Sequence, residues 1–132
     1  MKPRSTVLCI ITLWTIISIL LGGTTTPAIA AANVKAFPGA AGYGTDTPGG
    51  RGGKVIYVTN LDDSGSGSLR DALTQSGPRM VLFKVSGTIT LGSDIDVKQP
   101  YLTVAGHTAP GEGVQIRGAQ IKISTHDVVI RY

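Results

Sequence analysis

Arg79-Met80-Val81-Leu82-Phe83-Lys84-Val85-Ser86-Gly87-Thr88-Ile89-Thr90-Leu91-Gly92-Ser93-Asp94-Ile95-Asp96-Val97 packs three short strand patterns and two turns into one stretch. Val81, Phe83 and Val85 alternate with Leu82 and Lys84, and Ile95 and Val97 oppose Asp94 and Asp96, so each strand offers one apolar and one polar face. The pattern continues downstream. Strands are expected at Met80 to Val85, Thr88 to Leu91, Ile95 to Val97, Leu102 to Ala105, Val114 to Ile116, Ile121 to Ile123 and Val128 to Tyr132. Comparable strands begin at Val81, Tyr101 and Asp127, which are 20 and 26 residues apart, the scale of one solenoid coil. Strands this short, joined without hairpin pairs such as Asn-Gly, bury their apolar faces by stacking coil on coil; pairing with a sequence neighbour alone would not bury enough. The fold class is therefore all-β and the architecture a β-solenoid.

Working toward the amino terminus, Lys54 to Thr59 reads as a further strand, with Asn60 to Gly65 as its turn. One helix follows. Ser68 with Asp71 three residues on is a capping-box pattern, Leu69, Ala72 and Leu73 share a face, and Gly77-Pro78 ends it. A helix this short is stable only with that face packed. It is expected to cover the first coil, whose open end would otherwise expose unpaired backbone and apolar side chains. Residues 31–53 form a Gly-, Ala- and Pro-rich lead-in without periodicity, expected to lie as loop against the surface.

Residues 1–30 read as an export signal. Lys2 and Arg4 form the positive start, Val7 to Leu21 the apolar stretch, and Ala28-Ile29-Ala30 a small-x-small cleavage pattern. The apolar stretch falls short of the ~20 residues of a spanning helix, so no membrane attachment is expected after cleavage, and the product is expected to be secreted or periplasmic. Cys9 lies inside this segment, which removes disulfides, thiolate catalysis and cysteine-ligated metals from consideration. The formal charge of +4 includes Lys2 and Arg4. The basic residues beyond them are scattered singly, without the clustering that nucleic-acid binding needs.

Four blocks together resemble the amino-terminal part of bacterial pectate lyases. They are Gly49-Gly50-Arg51-Gly52-Gly53-Lys54-Val55; Val58-Thr59-Asn60-Leu61 leading into Gly67-Ser68-Leu69-Arg70-Asp71-Ala72-Leu73; Phe83-Lys84-Val85-Ser86-Gly87-Thr88-Ile89; and Leu102-Thr103-Val104-Ala105-Gly106-His107-Thr108-Ala109-Pro110-Gly111. The resemblance runs from about Phe37 to Tyr132. It implies a right-handed parallel β-helix, here incomplete, and cleavage of polygalacturonate (pectin) by β-elimination, assisted by calcium on acidic side chains, with an arginine as base. The family's acidic ligands and arginine belong to later coils, so no catalytic, substrate-binding or metal residue is assigned in this chain. The implied partner is an anionic polysaccharide, and the full-length parent is expected to be a monomer. The pattern breaks off at Val128-Val129-Ile130-Arg131-Tyr132, from which the chain is expected to be the inactive opening of a longer enzyme. The alternative is a short non-enzymatic β-solenoid for carbohydrate binding or surface interaction.

Several residues could suggest a site. Asp94 and Asp96 share an outward face about 7 Å apart, which a calcium ion could bridge, yet calcium takes six or more oxygens and no third acid is near in sequence. Solvated surface acids are the expectation. Asp62 and Asp63 are explained by turn chemistry and a helix start. His107 and His126 sit in polar turns without a second ligand or a Gly-x-Ser-x-Gly serine, and turn hydrogen bonding is expected. Arg117 and Arg131 are the better candidates for contact with an anionic polysaccharide, because a guanidinium fork matches a carboxylate, though strand-surface arginines are usually solvated and that is the expectation here. The Gly49 to Lys54 run resembles a phosphate loop in composition only, with Pro48 and Val55 standing where that loop needs a glycine and a Ser or Thr.

Overall fold

In the computed structural model, which describes residues 34–132, three parallel sheets are visited in rotation. Sheet A holds β1 (Lys54–Val58), β2 (Arg79–Phe83), β5 (Leu102–Ala105) and β8 (Val128–Arg131), in that order. Sheet B pairs β3 (Gly87–Thr90) with β6 (Val114–Arg117), and sheet C pairs β4 (Ile95–Val97) with β7 (Ile121–Ile123). Every pairing joins strands one coil apart, never sequence neighbours, which is how a coil-on-coil stack differs from a hairpin sandwich. The export signal expected over residues 1–30 lies outside the described residues.

The register explains the core. Ile56 lies beside Val81, Val81 beside Val104 and Val104 beside Ile130, so a ladder of aliphatic side chains climbs the inside of sheet A. Ile89 and Ile116 continue it on sheet B, and Ile95 with Ile121 and Val97 with Ile123 on sheet C. Val81, Ile89, Ile95, Val97 and Leu102 are essentially inaccessible. Burying each contributes on the order of 1.5–3 kcal/mol relative to exposure.

The coil length differs in one place from the spacing suggested by Val81 and Tyr101. Arg79 pairs with Leu102 and Leu102 with Val128, giving coils of 23 and 26 residues. Tyr101 and Asp127 are not strand residues. Both precede a sheet A strand in the left-handed conformation, with φ of 60° and 55°, and the carbonyl of each accepts from the first strand residue of the coil before. Such a conformation costs a non-glycine residue roughly 1 kcal/mol or more.

Helix α1 (Leu69–Thr74) has Ser68 as its N-cap, with Ser68 Oγ accepting from the Asp71 amide at 3.2 Å. Only that half of the capping box forms; the Ser68 amide donates to the Gly65 carbonyl instead. Leu69, Ala72 and Leu73 are buried, and the helix packs against β1 and β4 over the first coil. Residues 34–53 contain neither helix nor strand and run across the outer face of sheet A.

Candidate functional site

The outer face of sheet C holds the charged groups closest together. Asp96 of β4 stands beside Lys122 of β7, with Asp94 just ahead of β4. Asp94 Oδ2 pairs with Lys122 Nζ at 2.6 Å, and its Oδ1 accepts from the Gln120 amide at 3.1 Å. Asp96 Oδ1 accepts from Ser124 Oγ at 2.7 Å, and its Oδ2 lies 3.4 Å from Lys98 Nζ. The Lys122 ammonium, helped by the Gln120 amide, holds the Asp94 carboxyl below the usual carboxylate range. The Ser124 hydroxyl and then Lys98 do the same for Asp96, and Asp94 raises Lys122 in turn. The two acids are therefore not merely solvated. Each is bonded to the following coil.

That arrangement does not fit calcium. Both oxygens of each carboxylate already accept from an ammonium, hydroxyl or amide, and calcium requires six or more oxygen ligands. Among the described residues no three His, Cys, Asp or Glu side chains converge to hold a metal ion.

Asp63 bonds an arginine in the first turn of α1. Arg70 Nη2 donates to Asp63 Oδ1 at 2.7 Å, and the same guanidinium donates to the carbonyls of Asp63, Ser93 and Asp94. Arg70 holds the Asp63 carboxyl below its ordinary value. Asp62 closes an Asx turn, its amide donating to Asn60 Oδ1 at 3.2 Å. His126 Nδ1 lies 2.8 Å from Asp127 Oδ2, and its ring meets Tyr101 edge-on at 5.6 Å. His107 sits exposed in the 3-10 turn Gly106–Thr108. These residues are not brought together.

The two candidate arginines part company. The Arg131 guanidinium lies 4.7 Å from the centre of the Phe37 ring, so the lead-in segment already occupies it. Arg117, on the outer face of sheet B, donates from Nε to Thr90 Oγ1 at 3.0 Å and is otherwise exposed.

The lead-in segment is fixed at several points. Thr47 Oγ1 donates to Asp127 Oδ1 at 2.6 Å, and with His126 it keeps the Asp127 carboxyl below the usual range. The Gly50 amide donates to Thr103 Oγ1 at 2.8 Å. A Cβ on Gly50 would stand 1.9 Å from the Arg79 carbonyl oxygen, and one on Gly53 2.0 Å from that of Pro78. Close backbone approach at Gly50 and Gly53 and a left-handed φ at Gly52, not phosphate chemistry, explain this glycine run.

Two residues went unnoticed in the sequence. Arg79 is fully buried at the start of β2, where its terminal nitrogens donate to the carbonyls of Leu73, Gly77, Gln99 and Pro100, while Nε has no partner. Burial pushes its pKa down. It ties the last turn of α1 to the corner of the next coil, and only its position after Gly77-Pro78 hints at this. Thr108 Oγ1 accepts from the Phe83 amide at 2.9 Å and donates to the Ala105 carbonyl at 2.7 Å, bridging consecutive coils.

Against known proteins, the chain is 47% identical over 98 residues to "Probable pectate lyase C" of Aspergillus flavus and 46% identical over the same length to that of Emericella nidulans. It is 35% identical over 81 residues to "Pectate lyase 1" of Cryptomeria japonica. The Aspergillus match covers 74% of this chain but only 23% of that relative's length, and the Cryptomeria match covers 58% and 20%. These relatives give no support to the bacterial attribution; the strongest of them are fungal. No protein-family model matches the chain.

Proposed function

We propose that this chain is a segment of a secreted pectate lyase, forming the capped first coils of a right-handed parallel β-helix that cleaves polygalacturonate by β-elimination. The identity of 47% over 98 residues to a protein named for that activity carries the reading. The parallel, coil-to-coil register supports it, because the four sequence blocks of the resemblance fall on successive parts of one stack. The leader-like pattern of residues 1–30 supports export.

In the proposed reaction a base takes the proton next to the uronate carboxylate, the electron pair forms a carbon–carbon double bond, and the glycosidic oxygen leaves from the adjacent carbon. Any calcium that assists would be held by residues outside this chain, since Asp94 and Asp96 are committed to lysines, a hydroxyl and a backbone amide. This segment's role is architectural: α1 closes the stack, and the inward ladders set the register that later coils would follow. Grafting residues 34–132 in place of the matching quarter of the Aspergillus flavus relative tests the proposal. The graft should release unsaturated product from polygalacturonate, followed by its ultraviolet absorbance, while the chain alone should not. A graft that folds but is inactive would leave the non-enzymatic carbohydrate-binding solenoid as the better reading. Turnover by the chain alone would show that it carries the reaction centre itself.

A further inference from the structure

The three outer faces of the stack differ in what they leave free. On sheet A the lead-in segment overlies β2, β5 and β8 while Val55 and Tyr57 of β1 stay exposed and apolar or aromatic, and the carboxylates of sheet C are engaged by neighbours. On sheet B, two outward rungs stand open: Thr88 of β3 beside Gln115 of β6, and Thr90 beside Arg117. Bonds within the rungs orient these groups without exhausting them. Thr88 Oγ1 donates to Gln115 Oε1 at 3.2 Å, which leaves the amide nitrogen of Gln115 to donate outward. Arg117 is anchored through Nε on Thr90, and its two terminal nitrogens make no hydrogen bond or ion pair among the described residues. The fork that suits a carboxylate is thus held in place and unused.

Beside the first rung, Ser86 and Gly87 on one coil face the Gly111-Glu112-Gly113 turn on the next across an open groove of about 600 Å³. Val114 contributes the one apolar side chain larger than a glycine among the groove's lining residues, so the groove offers little to an aliphatic peptide or a lipid tail. Its hydroxyls, amide and carboxylate are suited to sugar hydroxyls. Glu112 would repel a second carboxylate, which directs the acid group of a sugar toward the Arg117 end, two residues further along the strands.

We propose that the outer face of sheet B is a docking surface for a polyuronate strand, with a uronate carboxylate on the Arg117 fork and sugar hydroxyls over Ser86, Thr88, Glu112 and Gln115. The occupant's identity rests on the lyase reading; the geometry rests on the charge and hydrogen-bond complementarity of the face. Such a surface would keep a polymeric substrate against the protein between cleavages.

The test is a titration of the isotope-labelled full chain with trigalacturonate in the presence of a calcium chelator, followed through backbone amide resonances. Saturable shifts confined to 86–90 and 112–117 are expected. Arg117→Ala should weaken binding about ten-fold, the loss of a charge-assisted pair, with Arg117→Lys intermediate because it keeps the charge without the fork. Uncharged galactotriose should bind the unaltered chain about as weakly as trigalacturonate binds Arg117→Ala. Shifts centred on 94–98 and 121–124, an absence of saturable shifts, or an Arg117→Ala chain of unchanged affinity would overturn the proposal. A trimannuronate bound equally well at 86–90 and 112–117, together with an inactive graft, would sustain the docking surface while removing the lyase reading. An active graft with no binding here would do the reverse.

Discussion

The outer faces of sheets A and C rest on the same coils, yet one is an apolar seat under a loop and the other an open lattice of charges. Outward from sheet A point Met80, Leu82, Thr103, Ala105 and Val129, which the lead-in segment approaches so closely that Gly50 leaves no room for a Cβ. Outward from sheet C point Asp96 and Lys122, with Asp94, Lys98 and Ser124 around them. The inward positions of both sheets are alike, mainly aliphatic and stacked by the coil repeat, with Arg79 and Phe83 of β2 as exceptions. In this stack of parallel sheets the inside is therefore dictated by the repeat, and the outside by whatever must lie over it.

Filling the tight seat on sheet A should break this contrast with the largest effect. Gly50→Val forces the lead-in backbone away from the Arg79 carbonyl, and we expect a loss of about 3 kcal/mol or more in urea unfolding. A loss below about 1 kcal/mol would mean that the segment is not seated as described. Thr47→Val is a gentler version, removing the bond to Asp127 and the one from the Gly49 amide. It should make proteolytic cutting within residues 34–50 several-fold faster while the coils stay resistant; an unchanged cutting pattern would count against the tether.

Acid should sharpen the comparison next. Asp94, Asp96 and Asp127 all have folded values below the ordinary carboxylate, so the stability they add is present above about pH 4 and is lost as pH falls through those lower values. Lys122 has the opposite sign. Its folded value is raised, so its contribution holds below about pH 10 and disappears as pH climbs past it. Asp127→Asn should flatten the decline of the urea midpoint between about pH 5 and 2, and an unaltered slope would show that the Thr47 and His126 contacts are not formed. Smallest of all should be Lys122→Met on the exposed lattice. Its melting temperature should stay within about 2 °C of the parent, as expected of surface pairs, and a larger drop would show that the charges of sheet C hold the coils together.

Much of the inward pattern was legible. Ile95–Val97, Leu102–Ala105 and Ile121–Ile123 fall where alternation put them, because their apolar periodicity and their final environment are the same thing. The first coil length was misjudged because Tyr101, an aromatic ahead of a β-branched run, reads as a strand residue, whereas its left-handed φ makes it a corner. Arg79 was invisible for a related reason: an arginine opening a strand reads as surface, and nothing local reveals that four carbonyls from two coils converge on it. The acids at 94 and 96 were visible as a pair. Their partners at 120, 122 and 124 were not, since adjacency a full coil away depends on the register, which pattern alone placed only approximately.

The corners of the stack differ in how much they vary. From sheet C back to sheet A both coils use four residues, 98–101 and 124–127, each ending on a left-handed corner that stacks on its counterpart. From sheet A to sheet B the first coil uses residues 84–86 and the next 106–113, with no loss of register beyond. The A-to-B bend is thus the place where foreign sequence could be spliced in, or a loop lengthened by evolution, without disturbing the stack. The C-to-A bend behaves as a fixed gauge for the described coils.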